Sequence, residues 1–150
     1  MNKFMKMAIS EAYRGINNGE GGPFGTVIVK DGKVVARGHN QVIKYGDATC
    51  HGEMQAIRRA SKKLGTHDLS GCEIYTTGEP CPMCLGAIMW ANIDKVYYGC
   101  SIEDTEIIGF RDKEFYERRT EDGDFLTELC REECLKLYRD YSNISEKEHY

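Results

Sequence analysis

The sequence predicts an α/β domain of three layers, α/β/α, with a central mixed sheet flanked by helices. Two observations carry this. Short β-branched runs alternate with stretches of helical periodicity, as in a sheet built by crossovers. An Asp-Gly pair between the first two such runs marks a hairpin, so one sheet holds antiparallel and parallel strands. With 150 residues, 41% hydrophobic and 29% charged, the chain suits one domain with its own core.

In the first helix Phe4, Ala8, Ala12 and Ile16 recur every fourth position and form one apolar stripe. Gly19, Gly21, Gly22 and Pro23 end it. Residues 24–30 (FGTVIVK) read as a strand, Asp31-Gly32 as its turn and 33–38 as the returning strand. Asp47 or Thr49 is the expected cap of a helix that runs to about Leu64 and stops at Gly65. Residues 72–77 form a third strand, 78–82 a loop, and Pro82 opens a helix that continues to Ala91. Residues 95–100 are a fourth strand. The stretch 101–123 is polar and carries no clear period. A last helix is expected over 124–141, with Leu126, Leu129, Cys130, Cys134, Leu137 and Tyr141 on one side, followed by a tail.

Net charge is −4, and all of it lies in residues 111–150, with 12 acidic against 8 basic side chains. Neither half of the chain offers the basic footprint that binding nucleic acid through its phosphates demands. No apolar run approaches the roughly 20 residues of a membrane span, and residues 1–10 do not read as a secretory signal. Seven cysteines, an odd number, argue for a reducing compartment, and the expectation is a cytoplasmic protein.

The chemistry gathers at two helix starts. His51-Gly52-Glu53 opens one helix and Pro80-Cys81-Pro82-Met83-Cys84 the next, 27 residues after Glu53. Both follow a strand and a loop, so both starts can meet at one sheet edge. Two thiolates and an imidazole form a soft donor set for zinc, and three protein ligands leave a fourth position open. A helix N-terminus favours the thiolate form. Glu53 is the nearby carboxylate that can take a proton from water. Residues two apart do not share a helix face, so His51 and Glu53 converge only beyond the helix end. Taken singly, Cys-x-x-Cys also fits a redox pair or half of a structural zinc site.

Jointly, His-x-Glu followed by Pro-Cys-x-x-Cys resembles the zinc deaminase signature. The chain resembles the cytidine-deaminase-like superfamily and, within it, the small bacterial guanine deaminases. The resemblance rests on residues 21–25 (GGPFG), the Asp-Gly hairpin, Asn40, His51-Gly52-Glu53, residues 77–91 (TGEPCPMCLGAIMWA), residues 109–112 (GFRD) and Tyr150. It implies a cytidine-deaminase-like fold with a sheet of about five strands over residues 1–150. It also implies one Zn²⁺ per chain on His51, Cys81 and Cys84. Glu53 would then move protons in the hydrolytic deamination of a nucleobase, guanine to xanthine plus ammonia, in purine catabolism or salvage. Asp112 is implied as a second carboxylate in proton transfer. Phe24, Asn40 and Trp90 are implied around the base, and Tyr150 as a lid. The last implication makes a homodimer the expectation, with the segment of about 124–150 exchanged between subunits. A tRNA adenosine deaminase, or a deaminase of cytosine or another amino-heterocycle, is the alternative.

One departure stands beside the metal motif, where Gly52 replaces the family's usual Ala and is expected to alter the pocket. Trp90 and Phe24 also read as simple core, and Asn40 as a turn residue. His39 and His67 read as ordinary surface or loop histidines. Cys72, Cys100, Cys130 and Cys134 read as core, and Cys50 lies outside the ligand spacing.

Overall fold

The computed structural model describes residues 1–118 and 125–150. In chain order the elements are α1 (Lys3–Asn17), β1 (Gly25–Lys30), β2 (Lys33–His39), α2 (Val42–Tyr45), α3 (Gly52–Leu64), β3 (Cys72–Gly78), α4 (Pro82–Trp90), β4 (Lys95–Cys100), α5 (Ile102–Ile107), α6 (Asp112–Glu117) and α7 (Arg131–Ser142). The chain divides into two compact units, Met1–Tyr116 and Glu117–Tyr150.

The first unit is built on the sheet, in the order β2-β1-β3-β4. Asp31 and Gly32 both take positive φ, 49° and 71°, the geometry of the tight hairpin turn between β1 and β2. β1 runs antiparallel to β2 and to β3, and β3 runs parallel to β4. Both crossovers, β2–α3–β3 and β3–α4–β4, therefore join parallel strands, as the alternation of elements predicts. The sheet has four strands among the described residues, where the resemblance implies about five.

The period of two along β1 divides the core into two layers. Val27 and Val29 pack with Tyr75 against Phe4 and Ala8 of α1. Ile28 turns the other way, with Ala36, Ile74 and Cys72, onto Ala56 and Ala60 of α3 and Ile88 of α4. α1 begins where Asn2 Oδ1 accepts from the N–H groups of Phe4 and Met5, at 2.9 and 3.1 Å. α3 approaches β2 at Gly38, where a Cβ would stand 2.6 Å from the Gly52 carbonyl oxygen and 2.8 Å from the Ala56 nitrogen. That contact draws the start of α3 onto the sheet end where the site forms.

Several expectations need correction. His51, rather than Asp47 or Thr49, is the N-cap of α3, while Asp47 closes its own turn on Thr49. Cys72 is buried as expected, but Cys100 is exposed, because it ends β4 at the sheet's edge. The polar stretch after β4 contains α5 and α6. The start of α5 was legible in Ser101-Ile102-Glu103-Asp104, which forms a capping box.

In the second unit the last helix starts at Arg131 rather than at 124, a position outside the described residues. Cys130 has φ 52°, a left-handed conformation that an α-helix cannot run through. Leu126 and Leu129 thus precede the helix, and Cys130 and Cys134 are exposed rather than core. No residue of α7 is buried. Among the described residues no helix is long and apolar enough to cross a membrane.

Candidate active site

The connections after β2 and β3 bring two helix N-termini together. His51 has extended backbone (φ −69°, ψ 159°), so it stands just outside α3 while Glu53 lies in the first turn. That difference lets both side chains reach one cavity although they are two residues apart. Cys81 holds the equivalent N-cap place on α4, with Pro82 in the first turn and Cys84 one turn further in.

The ligand atoms of His51, Cys81 and Cys84 lie within 4.8 Å of one another. Cys81 Sγ is 3.6 Å from His51 Nδ1. A tetrahedral zinc bonded to sulfur at about 2.3 Å and nitrogen at about 2.0–2.1 Å would separate those atoms by about 3.5 Å. The donor set therefore fits the ion in spacing as well as in chemistry. The S–H of Cys84 donates to Cys81 Sγ, and this bond, helped by His51, holds the Cys81 thiol down to about 4 against its burial. Donating that proton, and then burial, push the Cys84 thiol up. Hydrogen bonding to Cys81 raises His51. The triad thus favours the thiolate at Cys81, whereas Cys84 holds its proton tightly and would release it only on binding a cation.

Glu53 is 5% exposed, and burial is the first cause raising its pKa above the usual carboxylate range. A buried carboxyl with elevated proton affinity beside a metal triad is suited to carry protons. Asp112, the first residue of α6, is also raised, by burial and then by the Cys81 charge.

A cavity of about 340 Å³ is lined by His51, Glu53 and Cys81 together with Phe24, Asn40 and Asp112. Phe24 meets Phe110 edge to face, with centroids 4.9 Å apart. Asn40 is 4% exposed, and its Oδ1 accepts the N–H of Val42 at 3.1 Å. This leaves its Nδ2 as the group that can donate to a ligand.

Sequence reasoning quoted further wall residues within its motifs without giving them a role. Gly21, Gly22, Glu79, Phe110 and Arg111 also line the cavity. Glu79 has a visible job, accepting the N–H of Ile102 at 3.0 Å and tying α5 to the loop before α4. Tyr116 donates to the Pro80 carbonyl at 2.6 Å, which anchors the helix bearing Asp112 to the loop bearing Cys81. Tyr116 lies four residues after Asp112, a spacing that puts both on one helix face.

Trp90 does not line the cavity. It closes α4, 67% exposed, eight positions from Pro82, and a nine-residue helix is about 13 Å long. That exposure also excludes the simple-core reading. Tyr150 is 80% exposed in the Glu117–Tyr150 unit. Gly52 is buried away from the lining, and a Cβ there would stand 3.1 Å from both the Phe24 carbonyl and Thr26 Oγ1. It therefore sets how closely α3 meets the sheet rather than the volume of the pocket. His39, expected at the surface, is buried between two carboxylates.

Residues 1–100 match the cytidine and deoxycytidylate deaminase zinc-binding region. The chain belongs to this zinc deaminase family. As a family member it is a hydrolytic deaminase, with His51, Cys81 and Cys84 as the set that fits the family's metal. It is 41% identical to a guanine deaminase of Bacillus subtilis over 98% of this chain and 97% of that one. The X-ray structure of guanine deaminase from Bacillus subtilis superposes with a TM-score of 0.92, covering 100% of this chain and 99% of the other at 41% identity. A tRNA-specific adenosine deaminase of Aquifex aeolicus is 44% identical over 95 residues, 63% of this chain and 62% of that one.

Proposed function

We propose that this deaminase converts guanine to xanthine and ammonia, with one zinc ion per chain held by His51, Cys81 and Cys84. The observation that carries the reading is the convergence of Glu53, Asn40 and Asp112 on one cavity walled by Phe24. Similarity to the Bacillus guanine deaminase over nearly the whole length supports it, because Asp112 lies beyond the region common to the wider family.

Zinc, when bound, supplies a Lewis acid that makes a water molecule acidic enough to react near neutral pH. The chain's own residues do the rest. Glu53 takes a proton from the water as its oxygen bonds to the carbon bearing the exocyclic amine. It passes that proton to the adjacent ring nitrogen. A second proton, from the new hydroxyl, goes to the amine nitrogen as the carbon–nitrogen bond breaks and ammonia leaves. Asp112 accepts from the purine N–H groups, and its raised proton affinity suits it to share in the second transfer. Asn40 donates through Nδ2 to a ring nitrogen or carbonyl of the base. Phe24 offers a flat apolar surface to the ring and helps keep water from the reacting carbon.

The C-terminal segment belongs to the same proposal. Leu129, Leu137 and Tyr138 are exposed in the Glu117–Tyr150 unit, an apolar surface that an isolated chain leaves in water. Exchange of this segment within a homodimer would cover it and deliver Tyr150 to the partner's cavity as a lid. The seven free cysteines suit a reducing, cytoplasmic setting.

Ammonia release from guanine, adenine and cytosine, with bound zinc measured in the same samples, tests the substrate. Guanine is expected to react far faster than the other two; equal rates on guanine and cytosine contradict the proposal. For the lid, a chain lacking residues 145–150 is mixed with a Glu53→Gln chain. With subunit exchange verified by a labelled chain, activity should return through the hybrid site that has an intact Glu53 and the other chain's tail. No recovery would place the tail in its own subunit or outside the reaction.

A further inference from the structure

His39 ends β2, one residue before Asn40, and its imidazole reaches two carboxylates from different parts of the chain. Nδ1 lies 3.0 Å from Glu11 Oε2 on α1, and Nε2 lies 2.8 Å from Glu20 Oε2 in the loop after α1. The residue is 3% exposed. Hydrogen bonds from His39 and Gln41 hold the Glu20 carboxyl down to about 2, so at neutral pH it only accepts. Nε2 must therefore donate to it.

Glu20 is where the wall of the cavity is tied together. Its carboxylate also accepts from Gln41 Nε2 at 2.6 Å, and Lys44 Nζ stands 3.4 Å away. Its N–H donates to the Gly15 carbonyl at 2.9 Å, and its own carbonyl accepts the N–H groups of Ile43 and Lys44, each at 3.1 Å. Gly21 and Gly22 follow it directly and line the cavity with Asn40 and Ile43. Room for the imidazole comes from Gly15, where a Cβ would stand 2.7 Å from His39 Cδ2.

We infer that His39 is a positioning residue for the base. As an imidazolium it donates one ring N–H to Glu11 and the other to Glu20, and so holds Asn40 and the Gly21–Gly22 backbone in the shape that receives the substrate. His39 does not line the cavity and acts through Asn40 and Glu20. Two anionic acceptors in a buried site offset the cost of burying its charge. The inference rests on the proposed reaction only for the identity of the base.

Gly15→Ala is the primary variant, because it keeps every hydrogen-bonding group and adds only a methyl that displaces the ring. Alanine is also favoured over glycine in a helix interior, so the variant should retain its fold and full zinc. The KM for guanine should rise about tenfold with kcat changed less than about threefold, the signature of lost uniform binding. In an Asn40→Ala background, Gly15→Ala should raise KM clearly less than it does in wild type, because only the Gly21–Gly22 backbone is left to displace. Unchanged KM in the single variant, or a full additional rise in the double, overturns the inference.

The protonation state is read separately, by nitrogen NMR of the zinc-loaded protein labelled at histidine, with His39→Gln for assignment. Two protonated ring nitrogens at His39 support the clamp, and one bare nitrogen overturns it. If wild-type enzyme turns over adenine or cytosine instead of guanine, the KM comparison is made on that base. Failure of the guanine reading is thereby separated from failure of the clamp.

Discussion

At the metal-facing part of the cavity, His51 and Cys81 cap the N-termini of two helices packed against the sheet, and Glu53 lies in the first turn of one of them. The remaining lining is made differently. Gly21, Gly22 and Asn40 come from loops, and Asp112 from the start of a six-residue helix. In the first part, covalent spacing along α4 and the packing of α3 on β2 fix the donors. In the second, shape depends on a hydrogen-bonded network that runs from Glu11 through His39 and Glu20 to Gln41. The contrast assigns bond-making chemistry to groups that cannot move far. It assigns choice of base to groups held by other side chains.

The largest effects should come from the helix-borne part. Cys84→Ser should remove zinc and activity together, since two protein donors cannot replace three. Retention of full metal in that variant would refute the ligand assignment. Glu53→Gln should keep the zinc and lose about 10²–10⁴ in kcat, the usual reach of a general acid–base group. Wild-type turnover in that variant would remove Glu53 from the proton path.

The smallest expected effect concerns stability and belongs to the loop-borne part. The Glu20 carboxyl has a folded pKa lowered from 4.5 to about 2, by its hydrogen bonds to His39 and Gln41. Its contribution is therefore fully present above pH 4.5 and fades as pH falls from there through about 2. Glu20→Gln should lower stability at neutral pH and flatten the loss between pH 4.5 and 2 relative to wild type. Parallel curves across that window, followed by thermal unfolding, would mean that Glu20 is not held by this network.

This division also separates what the sequence revealed from what it hid. The metal triad and Glu53 were legible because both motifs are local, one within three and the other within five consecutive residues at a helix start. The layers were legible because β-branched runs such as residues 26–29 alternate along the chain with stretches of helical period. His39 was misread as a surface residue because its partners lie 28 and 19 positions away, and no local pattern links them. Trp90 was set around the base by the resemblance alone, but helix length carries it away from the cavity. The apolar residues of α7 suggested a core helix, yet Cys130 breaks the helix and the side chains are exposed. Periodicity identifies an apolar face without saying which surface covers it.

The central claim is that activation of the attacking water and choice of base reside in different parts of one cavity. The ratio of kcat/KM for guanine to that for cytosine, measured in zinc-loaded wild type, Glu53→Gln and Asp112→Ala, tests it most directly. Wild type should strongly favour guanine. Glu53→Gln should slow both bases by a similar factor and leave the ratio nearly unchanged, with the residual rates read at high enzyme concentration. Asp112→Ala should lower guanine turnover by about 10–150-fold, the range for a hydrogen bond to a charged group, and bring the ratio down with it. A ratio that stays fixed in Asp112→Ala, or one that collapses in Glu53→Gln, would contradict the account.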